Sequence, residues 1–314
     1  MFYRLRQWYH ATNFKYRTRI LSSPPIACQP DAPCAIHTML GQRDLPLYLV
    51  AIKSFLRWYP NVAVVAHSDG TLYERDEATM SRHIPGCKVV TASEADALAC
   101  STLGADSYLF KCRSWDASYR RVIDTHLWSK TGKRIIMDSD ILVLRRPHEI
   151  IEWIETHTAP FLFGQPPSTE ATAPSPGGKK HIQTIFREKV GDISRKLGLT
   201  NAFPQGATSG FYGCTEKELA LEKLERIIRV CSEIGIPMRE WGSEQCIVIY
   251  LLASAGGTRL NPDLYLNFDF DQVEKLRNAH AVHFLGYCRY YMDLYPRLAA
   301  EIVGEWIRHD TVLI

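Results

Sequence analysis

Residues 132–144, which read GKRIIMDSDILVL, constrain the fold of this chain more than any other stretch. The apolar run at 135–137 is typical of a buried strand in a parallel sheet, and apolar residues resume after Asp138-Ser139-Asp140. Ligands of open α/β sheets bind at the carboxyl ends of such strands. Two carboxylates that are removed from water at that place need a positive partner, and a divalent cation that prefers oxygen ligands can be that partner. The alternative is an ordinary polar turn, because Asp and Ser favour turns.

Length, charge and cysteine usage exclude several classes of protein. A chain of 314 residues suits one large α/β domain or two small ones, and a net charge of +3 gives no strong field for nucleic acid. The nine cysteines include no Cys-x-x-Cys pair, which favours reduced, packed thiols over a disulfide frame or a zinc site. No apolar run approaches the roughly 20 residues of a membrane span, and no segment resembles a signal peptide. We therefore expect a cytoplasmic or membrane-peripheral protein.

Residues 1–33 read as a basic, aromatic N-terminal arm followed by a proline-rich linker. The first 30 residues contain no Asp or Glu. Basic residues alternate there with aromatic ones: Arg4, Arg6, Lys15, Arg17 and Arg19 with Phe2, Tyr3, Trp8, Tyr9, Phe14 and Tyr16. Two interpretations are open. Residues 1–20 lie on an anionic membrane surface, or the arm packs its aromatics on the body while its arginines stay solvated.

Strand-like and helix-like patterns alternate from residue 34 to residue 145. We predict strands at 35–39, 62–66, 88–90 and 135–137. Helices are predicted between them, one after Asp44 with Pro46 in its first turn and one opened by a Thr71-x-x-Glu74 capping box. This alternation predicts a doubly wound α/β fold with a mostly parallel central sheet flanked by helices.

Beyond residue 145 the helices and strands continue around one long irregular segment. We predict a helix from Pro147, a strand at 161–163, helices opened by a Thr215-x-x-Glu218 capping box and at 243–255, and a strand at 279–284. Residues 164–180 are rich in Pro and Gly and cannot hold regular structure. They read equally as an active-site lid or a disordered insertion.

The last predicted strand ends in a second polar turn, HFLGYCRYY at 283–291. A lone His after a strand is usually structural. Together with the Asp-x-Asp pair, however, His283 completes a set of two carboxylates and an imidazole, which suits Mn²⁺ better than Mg²⁺. Gly286 would let backbone N–H groups approach a diphosphate, and Arg289 would supply a positive fork for its oxygens.

The two turns in this order resemble those of the GT-A nucleotide-sugar glycosyltransferases, especially the retaining family 8 that includes glycogenin and bacterial galactosyltransferases. That family has a strand ending in Asp-x-Asp and later His-Phe-x-Gly-x-x-Lys, where this chain has IIMDSDILVL and HFLGYCRYY. Residues 206–212 fall where the family has Asn-Ala/Ser-Gly, and Ser243-Glu244-Gln245 falls where it has Asp-Gln. Tyr119-Arg120-Arg121 lies about where a donor-contacting Arg precedes the Asp-x-Asp strand. The resemblance spans roughly residues 35–292.

The resemblance implies a single GT-A domain over residues 34–314, with a nucleotide-binding half at 34–145 and an acceptor-side half at 146–314. Its activity would be that of a metal-dependent hexosyltransferase. The donor would be a nucleoside-diphosphate sugar, with UDP as the family default. The acceptor would be a hydroxyl of a glycan, a glycolipid or a protein, and the anomeric configuration would be retained, by same-face attack or through a protein nucleophile.

The resemblance also implies roles for individual residues. Asp138, Asp140 and His283 would hold Mn²⁺ or Mg²⁺, with Asp138 also touching the donor ribose. Donor contacts would come from Arg121 or Arg120 and from Gly286 and Arg289, and catalytic contacts from Gln245 and Glu244. For the last two the alternative is the first turn of a helix, where Glu favours the macrodipole. Thr208 replaces the family's Asn and Arg289 its Lys, which leaves those contacts and the nucleobase open.

Three rival functions share parts of this pattern. A phosphatase of the haloacid dehalogenase type carries Asp-x-Asp on its first strand with Thr or Val two residues on, whereas here the pair comes several strands in, with Leu142 at that place. A catalytically inactive GT-A domain serving as a binding scaffold would show an eroded metal set. A nucleotidyltransferase would require a Gly-rich basic loop after the first strand, and residues 40–43 match such a loop poorly.

Overall fold

A computed structural model of the chain describes residues 2–156, 159–164, 180–200, 203–204, 206–286 and 288–311. The strands are β1 Cys34–Leu40, β2 Ala63–Ser68, β3 Lys88–Val90, β4 Lys133–Met137, β5 Ile141–Val143, β6 Phe161–Gly164, β7 Ala207–Thr215, β8 Thr258–Arg259, β9 Tyr265–Asn267 and β10 Ala281–His283. The helices are α1 Phe2–Thr18, α2 Leu45–Leu56, α3 Glu74–His83, α4 Ala92–Leu103, α5 Tyr108–Arg113, α6 Ala117–Trp128, α7 His148–Glu155, α8 Ile182–Leu197, α9 Leu221–Glu233, α10 Ser243–Ser254 and α11 Leu294–Thr311. The predicted lid or insertion at 164–180 lies, apart from its two ends, outside the described residues.

The main sheet confirms the doubly wound prediction. Its strand order is β3-β2-β1-β4-β7-β6-β8, and the four strands from β3 to β4 are parallel. Of these, β1, β2 and β4 are almost wholly buried and mostly apolar because helices cover both faces of the sheet. β7 then runs antiparallel to β4, so that Met137 pairs with Phe211 at the carboxyl end of β4.

Side-chain alternation along β4 links the two halves of the hydrophobic core. Ile135 and Met137 belong to the cluster on one face of the sheet, and Ile136 belongs to the cluster on the other. This is the period of two that a strand imposes on its side chains. β4 is therefore held from both sides, and the turn that follows it is anchored by a rigid element.

A second, small sheet brings the end of the chain to that turn. β5 follows the Asp-x-Asp turn directly, and β10 pairs with β5 antiparallel and with β9 parallel. In this register His283 lies opposite Ile141, and the Phe284 N–H donates to the Asp140 carbonyl at 3.1 Å. Two segments far apart in the sequence thus become neighbours.

Both capping-box predictions are wrong in position. The Tyr73 N–H donates to the Asp76 carboxylate, so α3 begins at Glu74 with Tyr73 as its N-cap, while the Thr71 hydroxyl donates to Asp69. Thr215 does donate its N–H to Glu218, at 2.6 Å, but α9 begins only at Leu221. At Thr215 the pattern closes a local turn from which no helix continues directly.

The predicted arm contains the helix α1, which packs one side on the body and leaves the other exposed. Phe14 is buried and its ring stacks on Tyr295 at 5.3 Å, whereas Trp8, Tyr9 and Tyr16 are exposed. None of the helices in the described residues is long and apolar enough to cross a membrane.

The proline-rich stretch that follows is extended, as predicted, but it is not a free linker. The N–H groups of Ile26, Cys28 and Gln29 donate to backbone carbonyls of the body at 3.0, 3.0 and 2.9 Å. Prolines cannot donate such bonds, and the non-proline residues between them supply the donors. All nine cysteines carry free thiols, of which Cys100 is exposed.

Candidate active site

The two polar turns form one cluster at the carboxyl end of β4. Asp138 is held by its N–H, which donates to the Gly210 carbonyl on β7 at 2.8 Å. Asp140 is held by the backbone bond from Phe284. The side chain of His283 then lies over the acidic pair, with its Nε2 3.2 Å from Asp140 Oδ1 and 3.7 Å from Asp138 Oδ2.

These three side chains fit a divalent cation. Ligand atoms on one ion at about 2.1 Å lie within about 4.2 Å of each other, and both imidazole–carboxylate distances meet that condition. One ligand atom from each of Asp138, Asp140 and His283 lies within 4.8 Å of the other two. Two carboxylate oxygens and an imidazole nitrogen are a donor set that suits Mn²⁺.

Gly210 is required at its position by the approach of these ligands. A Cβ on Gly210 would lie 2.8 Å from His283 Nδ1 and 3.0 Å from Asp138 Oδ2. The resemblance placed residues 206–212 near the site, and the structure supplies the physical reason for glycine at this one. Any side chain there would displace the imidazole or the carboxylate.

Each acidic residue of the cluster also faces a guanidinium. Arg289 Nη2 lies 2.5 Å from Asp140 Oδ2, and Arg121 Nη1 donates to Asp138 Oδ1. Arg289 also has a second carboxylate nearby, because its Nη1 is 4.0 Å from Asp44. The cluster is therefore compensated in charge by residues that come from α6 and from the turn after β10.

Charge and burial set the protonation states of the cluster. Burial alone would raise the pKa of Asp140, but Arg289 and His283 outweigh it and hold that pKa below its ordinary value. Burial alone would lower the pKa of His283, but Asp140 and Asp138 outweigh it and leave that pKa raised. Asp140 is thus an anion that is ready to bind a cation.

Arg121 joins the acidic turn to the start of α10. Its Nη2 lies 2.9 Å from the Ser209 hydroxyl and 3.3 Å from Glu244 Oε1. Burial raises the pKa of Glu244 to about 7, and Arg121 offsets this only in part. One guanidinium shared between the half-buried Asp138 and the buried Glu244 cannot fully compensate both carboxylates.

Gln245 is tied to the strand beside it. Its Oε1 accepts from the Thr208 hydroxyl at 3.2 Å and from the Ser209 N–H at 3.4 Å. Thr208, which stands where the resemblance expects Asn, therefore contacts Gln245. Both Glu244 and Gln245 also lie in the first turn of α10. From the sequence, this location is the alternative to a catalytic role.

These residues surround a cavity of about 460 Å³. Its lining includes Asp138, Asp140, His283, Arg121, Glu244, Gln245, Thr208, Ser209, Gly210, Met39 and Trp241. Trp241 is 80% exposed, and sequence reasoning missed it. The one signal that could have found it is its place directly before Gly242 and the start of α10.

Three of the predicted donor-binding residues, Arg120, Gly286 and Arg289, do not belong to this lining. The Arg120 guanidinium points towards α4, with its Nη2 3.9 Å from Asp96. Gly286 is exposed, and a Cβ at that position would meet nothing within 4 Å. Arg289 reaches the cluster through Asp140. Of the adjacent arginines, the structure brings Arg121 to the cavity.

Comparison with solved structures shows which known fold this chain resembles. No family model matches the sequence, and no curated protein matches it. The chain is similar to the apo structure of the bifunctional glycosyltransferase WbbM, with a TM-score of 0.52 and 13% identity over 88% of this chain and 52% of WbbM. It is also similar to mouse xyloside xylosyltransferase 1, with a TM-score of 0.48 and 11% identity over 82% of this chain and 98% of that one. For the galactosyltransferase LgtC with donor and acceptor sugar analogs, the TM-score is 0.43 and the identity 13%, over 88% and 95% of the two chains.

The likeness to WbbM concerns the fold, because the identity is low and this chain spans about half the length of WbbM. In this chain the fold consists of a mostly parallel sheet of seven strands with helices on both its faces. The chain therefore has the fold of the GT-A glycosyltransferases.

Proposed function

We propose that this chain is a metal-dependent glycosyltransferase of the retaining family 8 type. It would transfer a hexose from a nucleoside-diphosphate sugar, with UDP as the default nucleotide, to a hydroxyl of a glycan, a glycolipid or a protein. The observation that carries the proposal is the approach of His283 Nε2 to Asp138 and Asp140, at 3.7 and 3.2 Å, on the wall of a cavity. The free thiols suit a cytoplasmic location.

In this proposal Asp138, Asp140 and His283 hold Mn²⁺ or Mg²⁺, and the bound ion neutralises charge on the departing diphosphate. Asp138 divides its contacts between the ion and the donor ribose. Arg289 and Arg121 offer guanidinium forks to diphosphate and sugar oxygens. Gly286 exposes backbone that can approach the diphosphate.

Gln245 and Glu244 would act on the sugar and the acceptor. The two hydrogen bonds to Gln245 Oε1 fix the plane of its amide against β7, which presents it to the reacting face. Glu244, whose pKa burial raises to about 7, would orient hydroxyl groups of the donor sugar or the acceptor. The exposed indole of Trp241 offers a flat apolar face on which a sugar ring of the acceptor would pack.

A thermal-shift screen of UDP, GDP and ADP with and without Mn²⁺ tests the proposal, because a ligand that binds only the native state raises its Tm. We expect one nucleotide to raise the Tm in the presence of Mn²⁺ and Asp140→Asn to abolish that shift. Hydrolysis of UDP-glucose or UDP-galactose then separates an enzyme from a binding scaffold. No shift with any nucleotide would exclude the proposed function, and a shift without hydrolysis of either donor would favour the scaffold.

A further inference from the structure

The outer side of α1 is an exposed stripe of mostly apolar residues on an otherwise docked helix. Phe14 and Thr18 are buried on one side, and His10 stacks there on Tyr290 at 5.0 Å. Residues spaced three and four apart on the opposite side are exposed, as a single helical face requires. We call this the α1 outer face, and it consists of Leu5, Trp8, Tyr9, Thr12 and Tyr16.

This exposure is not explained by packing within the chain. Trp8 is 64% exposed and Tyr16 is 69% exposed, although burying either ring would release about 2 kcal/mol or more. Singly exposed aromatics are ordinary, but a contiguous helical stripe of them marks an interaction surface. Trp and Tyr in particular favour the boundary between lipid headgroups and acyl chains.

The charge carried by residues 1–30 favours an anionic partner for the α1 outer face. Lys15 lies beside the face with its Nζ 5.0 Å from the Tyr16 ring centre, and Arg19 follows the helix as an exposed residue. The acidic residue that touches the inner side of α1 is Asp293, which Arg17 already neutralises at 2.5 Å. With no Asp or Glu in residues 1–30, the segment presents only positive charge to an approaching surface.

The helix is also fixed next to the catalytic cluster. Tyr290, on which His10 stacks, directly follows Arg289, the residue whose guanidinium pairs with Asp140. α1 packs along α11 as well, through the stacked rings of Phe14 and Tyr295. A surface that engages the α1 outer face would therefore lie close to the turn that completes the metal set.

We propose that the α1 outer face docks this protein on the surface of an anionic lipid bilayer, with the aromatic rings at the headgroup level and Lys15 and Arg19 against lipid phosphates. Docking rests on the α1 geometry alone. Its consequence for the acceptor rests on the proposed function: the sugar would be delivered to a hydroxyl carried at the membrane, as on a glycolipid.

Vesicle flotation with the full chain tests the docking. We expect the chain to float with phosphatidylcholine–phosphatidylglycerol vesicles and to remain behind with pure phosphatidylcholine, and added salt should weaken the binding. Trp8→Ser and Tyr16→Ser should each lower the partition coefficient about tenfold. The double variant Lys15→Gln/Arg19→Gln should lower it by about tenfold or more, at roughly fivefold per charge.

Tyr73→Ser is the matched control, because Tyr73 is 59% exposed and lies on α3's N-cap, outside α1. It should leave flotation unchanged. An unchanged Tm shows that each variant is folded, since these side chains are exposed except for the half-buried Lys15. Absence of flotation with the anionic vesicles at low salt, equal loss in Tyr73→Ser, or dimerisation through α1 in solution would overturn the proposal. Donor hydrolysis without vesicles reports the proposed function separately.

Discussion

At the scale of residues, the site is defined by how carboxylates and guanidinium groups share charge. Asp138 and Glu244 both depend on Arg121, and Asp140 depends on Arg289. A buried carboxylate that loses its only cation is strongly destabilising. Substituting the adjacent residues Arg120 and Arg121 one at a time therefore compares an arginine outside the cluster with one inside it.

We predict that Arg121→Ala lowers the free energy of unfolding by about 3 kcal/mol and donor hydrolysis by more than about tenfold. Arg120→Ala should change stability by less than about 1 kcal/mol, because its contact with the half-exposed Asp96 is a 3.9 Å surface pair. Urea unfolding and hydrolysis rates of the two variants check this. Equal effects of the two substitutions would show that Arg121 is not needed to compensate Asp138 and Glu244.

Gly210→Ala should remove metal binding with only a moderate loss of stability. The added Cβ would lie 2.8 Å from His283 Nδ1, so the imidazole must move away from the carboxylates at a cost of about 1–3 kcal/mol. Titration with Mn²⁺ followed by calorimetry measures the affinity. Gly191→Ala on α8, where nothing lies within 4 Å, is the control and should bind Mn²⁺ as the parent does.

Stability and metal affinity should respond to pH in opposite directions through His283. Its pKa is raised above 6.5, so its pairing with the carboxylates stabilises the metal-free fold below pH 6.5 and is lost as pH rises through the raised pKa. Mn²⁺ needs the neutral imidazole, so its affinity should increase over that same range. Tm measured against pH with and without Mn²⁺ tests both trends. The His283→Gln variant should show neither pH trend. A Tm increment from Mn²⁺ that is independent of pH would contradict the assignment of His283 as a metal ligand.

At the scale of elements, α1 has a docked side and an open side that predict different costs of mutation. Phe14 is fully buried against Tyr295, whereas Trp8 is mostly exposed. Phe14→Ala should lower the free energy of unfolding by about 3 kcal/mol or more, and Trp8→Ala should change it by less than about 0.5 kcal/mol. Chemical denaturation compares the two. Similar costs would mean that α1 is packed differently.

Local patterns predicted the strands β1–β4, β6 and β10 and the helices α2, α3, α7, α9 and α10, but not α1, α4–α6, α8 or α11. Contacts between distant residues escaped them. The apolar run before Asp138 identifies β4 because burial on both faces leaves its mark in adjacent residues. The pairing of β5 with β10 has no local signal, since each strand is three residues long. His283 could be placed near the acidic pair only by resemblance, and the need for Gly210 and the position of Trp241 depend on neighbours that the sequence does not reveal.

At the scale of the whole molecule, the charge of the candidate site is balanced by groups of the protein itself. Two arginines and His283 already oppose the negative charge of Asp138 and Asp140, so the fold does not need an ion to hold these carboxylates together. We therefore expect an ion bound at this site to serve the ligand and not the fold, unlike the zinc of proteins that unfold when it is removed.

We accordingly predict that EDTA abolishes the stabilisation given by nucleotide and Mn²⁺ but returns the Tm to the value of the metal-free protein and no lower. With nucleotide at about 100 times its dissociation constant, the stabilisation lost is about 2.7 kcal/mol. Differential scanning calorimetry measures both temperatures. A Tm that falls below the metal-free value would show that the ion is structural.

The ladder between β5 and β10 has a consequence for how the protein is made. Residues up to Asp140 are synthesised long before His283 and Arg289, and the cluster needs both groups. A ribosome-bound chain that ends before residue 283 can form the parallel strands β1–β4 but has no site for the cation. If the proposed function is correct, the nascent protein would be inert towards sugar nucleotides until β10 has paired with β5, and activity would then report completed folding.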